Sequence, residues 1–307
     1  MISQRPVVTT SIVIILFNRS DLAELLIKQL SKFAINKLYV VMDGPRENNE
    51  KDIDERNKIL QILENIDFVN NIILEISDKN LGCTNRIVSG LNNVFRNEDS
   101  AIILEDDCIP SDTFFNYCEH MLETYREDTR IGVISGTNLV ENSSNENSYH
   151  FSKYCNIWGW ATWRRVWDEY DVKMNLLNEE NLEKIRGRFN SRNEFNYWKA
   201  VFNQTKNGNI KTWDYQLWFS VWLNGQISIV PSVNQIDNLG FAHENATHTI
   251  GKHPAETIKA RNLKFPLLKP ESILPDAIQD DKIRILLYQF PNIIIRIKSK
   301  ILRLFSI

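Results

Sequence analysis

Three carboxylates stand together at Glu105-Asp106-Asp107, directly after the apolar run Ile102-Ile103-Leu104 and before Cys108-Ile109-Pro110. Neighbouring carboxylates repel, so such a group persists where a cation or a hydrogen-bonding ligand offsets it. Hard cations such as Mg²⁺ take one or two protein carboxylates and complete their shell with substrate phosphates. An acidic turn or helix start would use the same residues. A position just after a buried strand favours the ligand. Arg19 and Arg86 have planar forks that suit phosphate oxygens. Asp43 can accept from a base N–H or a ribose hydroxyl. Each of these three, taken alone, also fits a plain surface charge. Neither GxGxxG nor GxxxxGK[ST] occurs in the chain. A nucleotide bound here would therefore be held by a metal and isolated side chains rather than by a glycine cradle.

A further carboxylate, Asp214, lies in Trp213-Asp214-Tyr215-Gln216-Leu217-Trp218. Thr212 can cap a helix in which Trp213, Leu217, Trp218, Val221 and Trp222 share a face. In the first turn, Asp214 would favour the helix dipole by about 0.3–1 kcal/mol. It also suits a general base: aromatic burial raises a carboxyl pKa, and a nearby acceptor hydroxyl could yield its proton. Upstream, Trp160, Trp163 and Trp167 recur at i, i+3, i+7, which reads as one helical face. Trp rings make good platforms for sugars. About five of the eight Trp are expected in the core. Trp158, Trp160 and Trp213 are the expected site walls, with Gly159 letting backbone approach a ligand.

These groups need a frame. Residues 11–17 form a β-rich apolar run followed by Asn18-Arg19-Ser20-Asp21, where Ser20 or Asp21 can cap a helix to about residue 33. Strands follow at residues 37–42, 71–76 and 101–104, with helices at about 50–66 and 82–95 between them. This β-α-β-α-β-α-β order, with strands apolar throughout, predicts a mostly parallel α/β sheet flanked by helices. Ligands of such sheets bind at the carboxyl ends of the strands, where Arg19, Asp43 and the acidic triplet fall. A helix to about residue 126, a strand at 132–135 and a polar loop at 141–148 follow.

The composition narrows the class. The chain has 307 residues, 43% apolar and 24% charged, which excludes a disordered chain and a polytopic membrane protein. A net charge of −3 and a pI near 6.0 give no pull toward nucleic acid. Cys83, Cys108, Cys118 and Cys155 show neither CxxC nor zinc spacing, and reduced thiols suggest a cytoplasmic setting. The run at 12–17 is too short for a signal-peptide core. All eight Trp lie between Trp158 and Trp222. That break suggests one domain over 1–255, with a donor half (1–110) and an acceptor half (111–255), and an extension over 256–307. From Lys282 onward there are six Lys or Arg and no Asp or Glu. The stretch from residue 292 is amphipathic at helical period, which predicts a C-terminal amphipathic helix on a membrane surface, on the inner face of the cell membrane; a helix packed on its own domain or a dimer helix would carry the same pattern.

The ordered set resembles the nucleotide-sugar-dependent glycosyltransferases of the GT-A fold. It runs from an apolar strand with Asn-Arg-Ser, through a strand with Asp-Gly, to a strand with Glu-Asp-Asp and then Pro-x-x-x-Phe-Phe. Over residues 10–250 the chain is similar to the N-acetylglucosaminyltransferase that starts hybrid N-glycan branches and to bacterial family-2-like enzymes. The resemblance implies Asp107 as ligand of Mn²⁺ or Mg²⁺, and Glu105 and Asp106 as ribose and sugar contacts. It implies Arg19 at the diphosphate, Asp43 at uracil, and an inverting reaction with Asp214 as base. Tyr215 departs from the family's Trp-Asp context. Because some GT-A enzymes recruit a C-terminal His, His248 is a candidate metal or phosphate contact. The implied partners are a nucleotide-sugar donor, with UDP favoured through Asp43, and a glycan or lipid-linked acceptor. Two alternatives stand beside this. A sugar nucleotidyltransferase usually carries a Gly- and Arg-rich loop after the first strand, which Asn18-Arg19-Ser20 is not. A non-catalytic glycan- or lipid-binding protein would not need the acidic triplet.

Overall fold

Five consecutive apolar residues leave strand β2 (Ile12–Leu16) no wet face, and all five are buried. A computed structural model describes residues 5–140, 147–242 and 254–288. In it β2 lies between β3 (Ala34–Met42) and β5 (Ser100–Glu105), parallel to both, with Leu16 level with Met42 and Ile15 level with Glu105. That register brings the ends of three strands to one edge. β4 (Val69–Ile76) pairs with β3 on its outer side, and the short β1 (Val7–Val8) shares β3's inner side. Helices α1 (Ser20–Leu30), α2 (Glu50–Glu64) and α3 (Cys83–Asn97) make the crossovers. The expected parallel α/β arrangement is what the chain forms.

After the short β6 (Cys108–Pro110) and α4 (Phe114–Thr124), β7 (Ile131–Ser135) rejoins the sheet, followed by β8 (Tyr149–Ser152). β9 (Trp160–Trp163) then runs antiparallel between β5 and β7, pairing Trp160 with Ile103 and with Ser135. The reading of Trp160, Trp163 and Trp167 as one helical face is therefore corrected. Trp160 and Trp163 belong to a strand, and only the single turn α5 (Arg164–Trp167) is helical. α6 (Glu179–Arg186), α7 (Arg192–Lys206) and α8 (Asp214–Leu223) follow, and β10 (Ile227–Pro231) lies between β7 and β8. β11 (Ile236–Asn238) pairs with β6 in a small second sheet. One sheet thus takes strands from both sides of residue 110.

Seven Trp are buried, at 5% exposure or less: Trp160, Trp163, Trp167, Trp198, Trp213, Trp218 and Trp222. That exceeds the expected five, and Trp158 alone is half-buried. Trp198 stands at the centre of the cluster, with ring centroids 4.9 Å from Trp218 and 5.0 Å from both Trp222 and Tyr288. Tyr288 follows the last helix, α9 (Ala277–Leu287), whose Asp280 accepts from Ser152 Oγ and Lys153 N. Beside the cluster a buried ion pair joins Lys153 Nζ to Glu194 Oε1 at 2.9 Å, and Tyr154 OH donates to the same oxygen. Most of the loop at 141–148, His248 and the amphipathic stretch from 292 lie outside the described residues.

Candidate active site

Arg19 is the N-cap residue of α1, at the end of β2. Its fork grips the acidic triplet. Nε donates to Asp106 Oδ2 at 3.0 Å, Nη2 bonds Asp106 Oδ1, and Nη1 donates to Asp107 Oδ2 at 3.0 Å. Burial opposes the guanidinium charge, but Asp106 and Asp107 outweigh it and raise the Arg19 pKa. The loop that carries Arg19 is braced from α2. Asn18 Nδ2 donates to Asp52 at 2.8 Å, Asp52 also holds Arg46, and Glu55 accepts from Ser20 N at 2.9 Å. Burial opposes the Asp52 charge, yet the Arg46 hydrogen bond, the largest influence, draws its pKa down to about 2. Sequence reasoning missed these braces. Their signal was a pair of acids at i, i+3 on one side of a polar helix.

Asp106 N donates to Ile15 O, which extends the ladder by one bond and fixes the triplet against β2. Asp107 is covered by the chain after β11. Leu239 N donates to its carbonyl, and a Cβ at Gly240 would collide with its Oδ2. Burial first, then Asp107 and Asp106, push the Glu105 pKa up against the pull of Arg19, and Asp214 adds to the push. Burial also raises Asp106, with Arg19 opposing. Three carboxylates against one arginine leave an anionic surplus that a cation would relieve.

The residues suit a divalent ion held in part by its ligand. Both Asp106 oxygens face Arg19, while among the described residues Asp107 Oδ1 meets only the Cys108 thiol at 3.4 Å. Among the described residues no three His, Cys, Asp or Glu side chains are placed to hold a metal together. One carboxylate plus phosphate oxygens and water is the usual Mg²⁺ arrangement.

Asp214 opens α8, and its Oδ1 accepts from Thr212 Oγ1 and from Tyr215 N. Trp213, not Thr212, is the N-cap residue, and Thr212 instead orients the carboxylate. Tyr170 OH donates to Trp213 O at 2.9 Å and steadies the same turn. Cys83, exposed at the start of α3, shows how these groups converge. Although the residue keeps an exposed part, its thiol is crowded by protein and is pushed up to about 12, by desolvation first, then by Glu105, Asp214 and Asp43. Carboxylates from three separate chain segments therefore lie within electrostatic reach of this one thiol.

Other candidates are engaged elsewhere. Asp43 Oδ1 accepts from Gly44 N and Leu81 N, and Oδ2 from Gly82 N at 2.9 Å and Asn80 Nδ2 at 3.1 Å. Its four lone-pair positions are filled, so it ties two loops together, and a base or ribose donor would have to displace one. Arg86 Nη2 donates to Glu75 O and Glu75 Oε2 on β4, not toward the triplet. Trp160 and Trp213 pack on each other at 5.8 Å inside the core, which corrects their assignment as walls. Gly159, at φ 62°, leaves room for Ile236 and Leu104 rather than for a ligand. Trp158 keeps an exposed part and packs edge-on against Phe241 at 5.1 Å.

Fold and site together define a mixed α/β protein with an acidic centre on the carboxyl edge of its parallel strands. No protein-family model and no curated protein matches the chain. It is similar to a 4-diphosphocytidyl-2C-methyl-D-erythritol synthase from Anaerococcus prevotii at 13% identity, over 70% of this chain and 96% of that one, with a TM-score of 0.34. A cytidylyltransferase from Leptospira borgpetersenii is 13% identical over 66% of this chain and 96% of its own, with a TM-score of 0.32. A UDP-glucose pyrophosphorylase complexed with UDP-glucose is 8% identical over 52% and 78%, with a TM-score of 0.29. Likenesses this distant assign neither a family nor a reaction to the chain.

Proposed function

We propose that the chain is a metal-dependent, inverting glycosyltransferase of GT-A type, moving a sugar from a nucleoside diphosphate, UDP by preference, to a hydroxyl of a glycan or lipid-linked acceptor. The observation that carries this reading is the Arg19 fork held on Asp106 and Asp107 at the end of the parallel strands, with Asp214 within electrostatic reach of Glu105. Asp107 is the residue that would hold Mn²⁺ or Mg²⁺. A bound ion supplies Lewis-acid neutralisation of the diphosphate leaving group. Arg19 meets the same diphosphate, and Asp106 keeps its fork aimed. Asp214 takes the acceptor hydroxyl proton while that oxygen bonds to the anomeric carbon and the bond to the diphosphate breaks. A single base acting in line with the leaving group gives inversion.

The test is a thermal-shift screen of nucleotide-sugars with and without Mn²⁺, followed by sugar transfer with the best donor. Cys83 adds an independent reading, because the other three thiols are buried. A cation at the acidic centre lowers the Cys83 pKa, so alkylation by iodoacetamide should quicken with Mn²⁺ alone and slow once a nucleotide-sugar follows. No stabilisation by any nucleotide-sugar, and no effect of Mn²⁺ on Cys83, would remove the reading. Pyrophosphate release from a nucleoside triphosphate and a sugar phosphate would replace it with nucleotidyl transfer.

A further inference from the structure

Asp107 is engaged through both of its carboxylate oxygens. Oδ2 accepts from Arg19 Nη1 at 3.0 Å and lies so near Gly240 that a Cβ there would overlap it. Oδ1 takes the Cys108 thiol at 3.4 Å. Arg19 is itself set by Asp106, which accepts Nε on one oxygen and Nη2 on the other. A guanidinium is planar and rigid, so two bonds to one carboxylate fix its plane and aim its third prong. The side chains of the Arg19–Asp107 pair are only 17% and 15% exposed, so water screens it less than it would a surface pair.

The backbone around Arg19 is pinned. Its neighbours Asn18 and Ser20 are tied to Asp52 and Glu55, and its carbonyl accepts from Ala23 N. A change of partner therefore falls to the side chain, whose third prong can leave Asp107 while the other two stay on Asp106. A divalent ion on Asp107 needs that change. On Oδ2 it would replace Nη1 outright. On Oδ1 it would stand across one carboxylate from a guanidinium of like charge. Phosphate oxygens suit the released prong.

We propose that Arg19 guards the cation position: it holds Asp107 until a diphosphate draws its third prong away, which couples cation binding to donor binding. The proposal rests on the reading of Asp107 as the cation ligand. An arginine that bound phosphate while standing clear of Asp107 would not compete for the ion.

The test is titration of the full chain with Mn²⁺, read from the electron paramagnetic resonance signal of the free ion, with and without UDP and against UDP alone as the blank. The parent should bind the ion alone weakly and bind it more tightly with UDP. Arg19→Gln should bind Mn²⁺ alone at least about tenfold more tightly than the parent, the factor that one lost charged hydrogen bond corresponds to, and gain less from UDP. Arg19→Lys keeps a charge beside the buried Asp106 but cannot span two carboxylates, so it too should bind the ion alone more tightly, and it decides the matter if Arg19→Gln melts early. Mn²⁺ affinity equal to the parent's in both variants would overturn the guard and leave the cation reading standing. Tighter binding by a folded Arg19→Gln but not by Arg19→Lys would also overturn it, since charge and not the fork would then be the cause. No Mn²⁺ bound by any of the three, with or without UDP, would remove the cation reading itself.

Discussion

Asp107 and Asp214 divide the proposed reaction between donor and acceptor, and single substitutions should separate the two. Asp107→Ala is expected to abolish transfer together with the Mn²⁺-dependent rise in melting temperature given by the donor. Asp214→Asn should keep that rise and lose turnover by about 10²-fold or more. Normal turnover by Asp214→Asn would end its role as base. Asp106 acts one step back, as a positioning residue for Arg19. Asp106→Asn weakens a two-pronged ion pair, by roughly 1.5–3 kcal/mol for a charged hydrogen bond. The expected effect is a raised donor KM with kcat much less changed, from steady-state rates, and Asp106→Glu should recover part of it. Residue types were legible for all these roles, but partners were not. Asp43 and Arg86 had the right chemistry for a nucleotide. Only the pairing of β3 with β4 shows that residues 80–82 consume the first and Glu75 the second.

Among the elements, α2 looks from its sequence like a solvent-facing crossover, yet its first turns brace the Arg19 loop. Asp52 is 1% exposed and bonds both Asn18 and Arg46. Its folded pKa of about 2 lies below the ordinary aspartate value of 3.8, so its contribution is fully present above that value and is lost as pH falls through 2. The contribution is roughly 1–2 kcal/mol once the half-exposed Arg46 partner is discounted for solvent screening. Between pH 4.5 and 2 the parent's melting temperature should therefore drop more steeply than that of Asp52→Asn. Equal slopes in thermal melts would show that the brace carries no charge energy. The first four main strands were legible to within about three residues because each holds a run of β-forming apolar residues bounded by polar turns. β9 was not: a four-residue central strand followed by one helical turn puts Trp160, Trp163 and Trp167 at helical spacing by coincidence.

For the whole molecule, about five of the eight Trp between residues 158 and 222 are expected in the core from sequence, and seven are buried there. Truncating the fully buried Trp198 empties the centre of a cluster that also receives Tyr288 from the far end of the chain. Trp198→Ala should cost about 3–5 kcal/mol in denaturant unfolding and loosen the attachment of α9, seen as faster hydrogen exchange over 277–287. Composition could show that this half is aromatic, but not which way the rings point, because that depends on how α7, α8 and α9 pack.

The place of β9 in the sheet has a consequence for synthesis. Ser100 pairs with Trp163 and Ile103 with Trp160, so the strand that bears Glu105 waits for a neighbour made roughly 60 residues later. At about 5–20 residues per second that is roughly 3–12 s of translation. Through that interval the nascent chain presents β5 as an open, apolar strand edge, the kind of edge that chaperones cover and that aggregation exploits. The acidic centre is thus complete in sequence at residue 107 but sealed into its sheet only after Trp163 has left the ribosome.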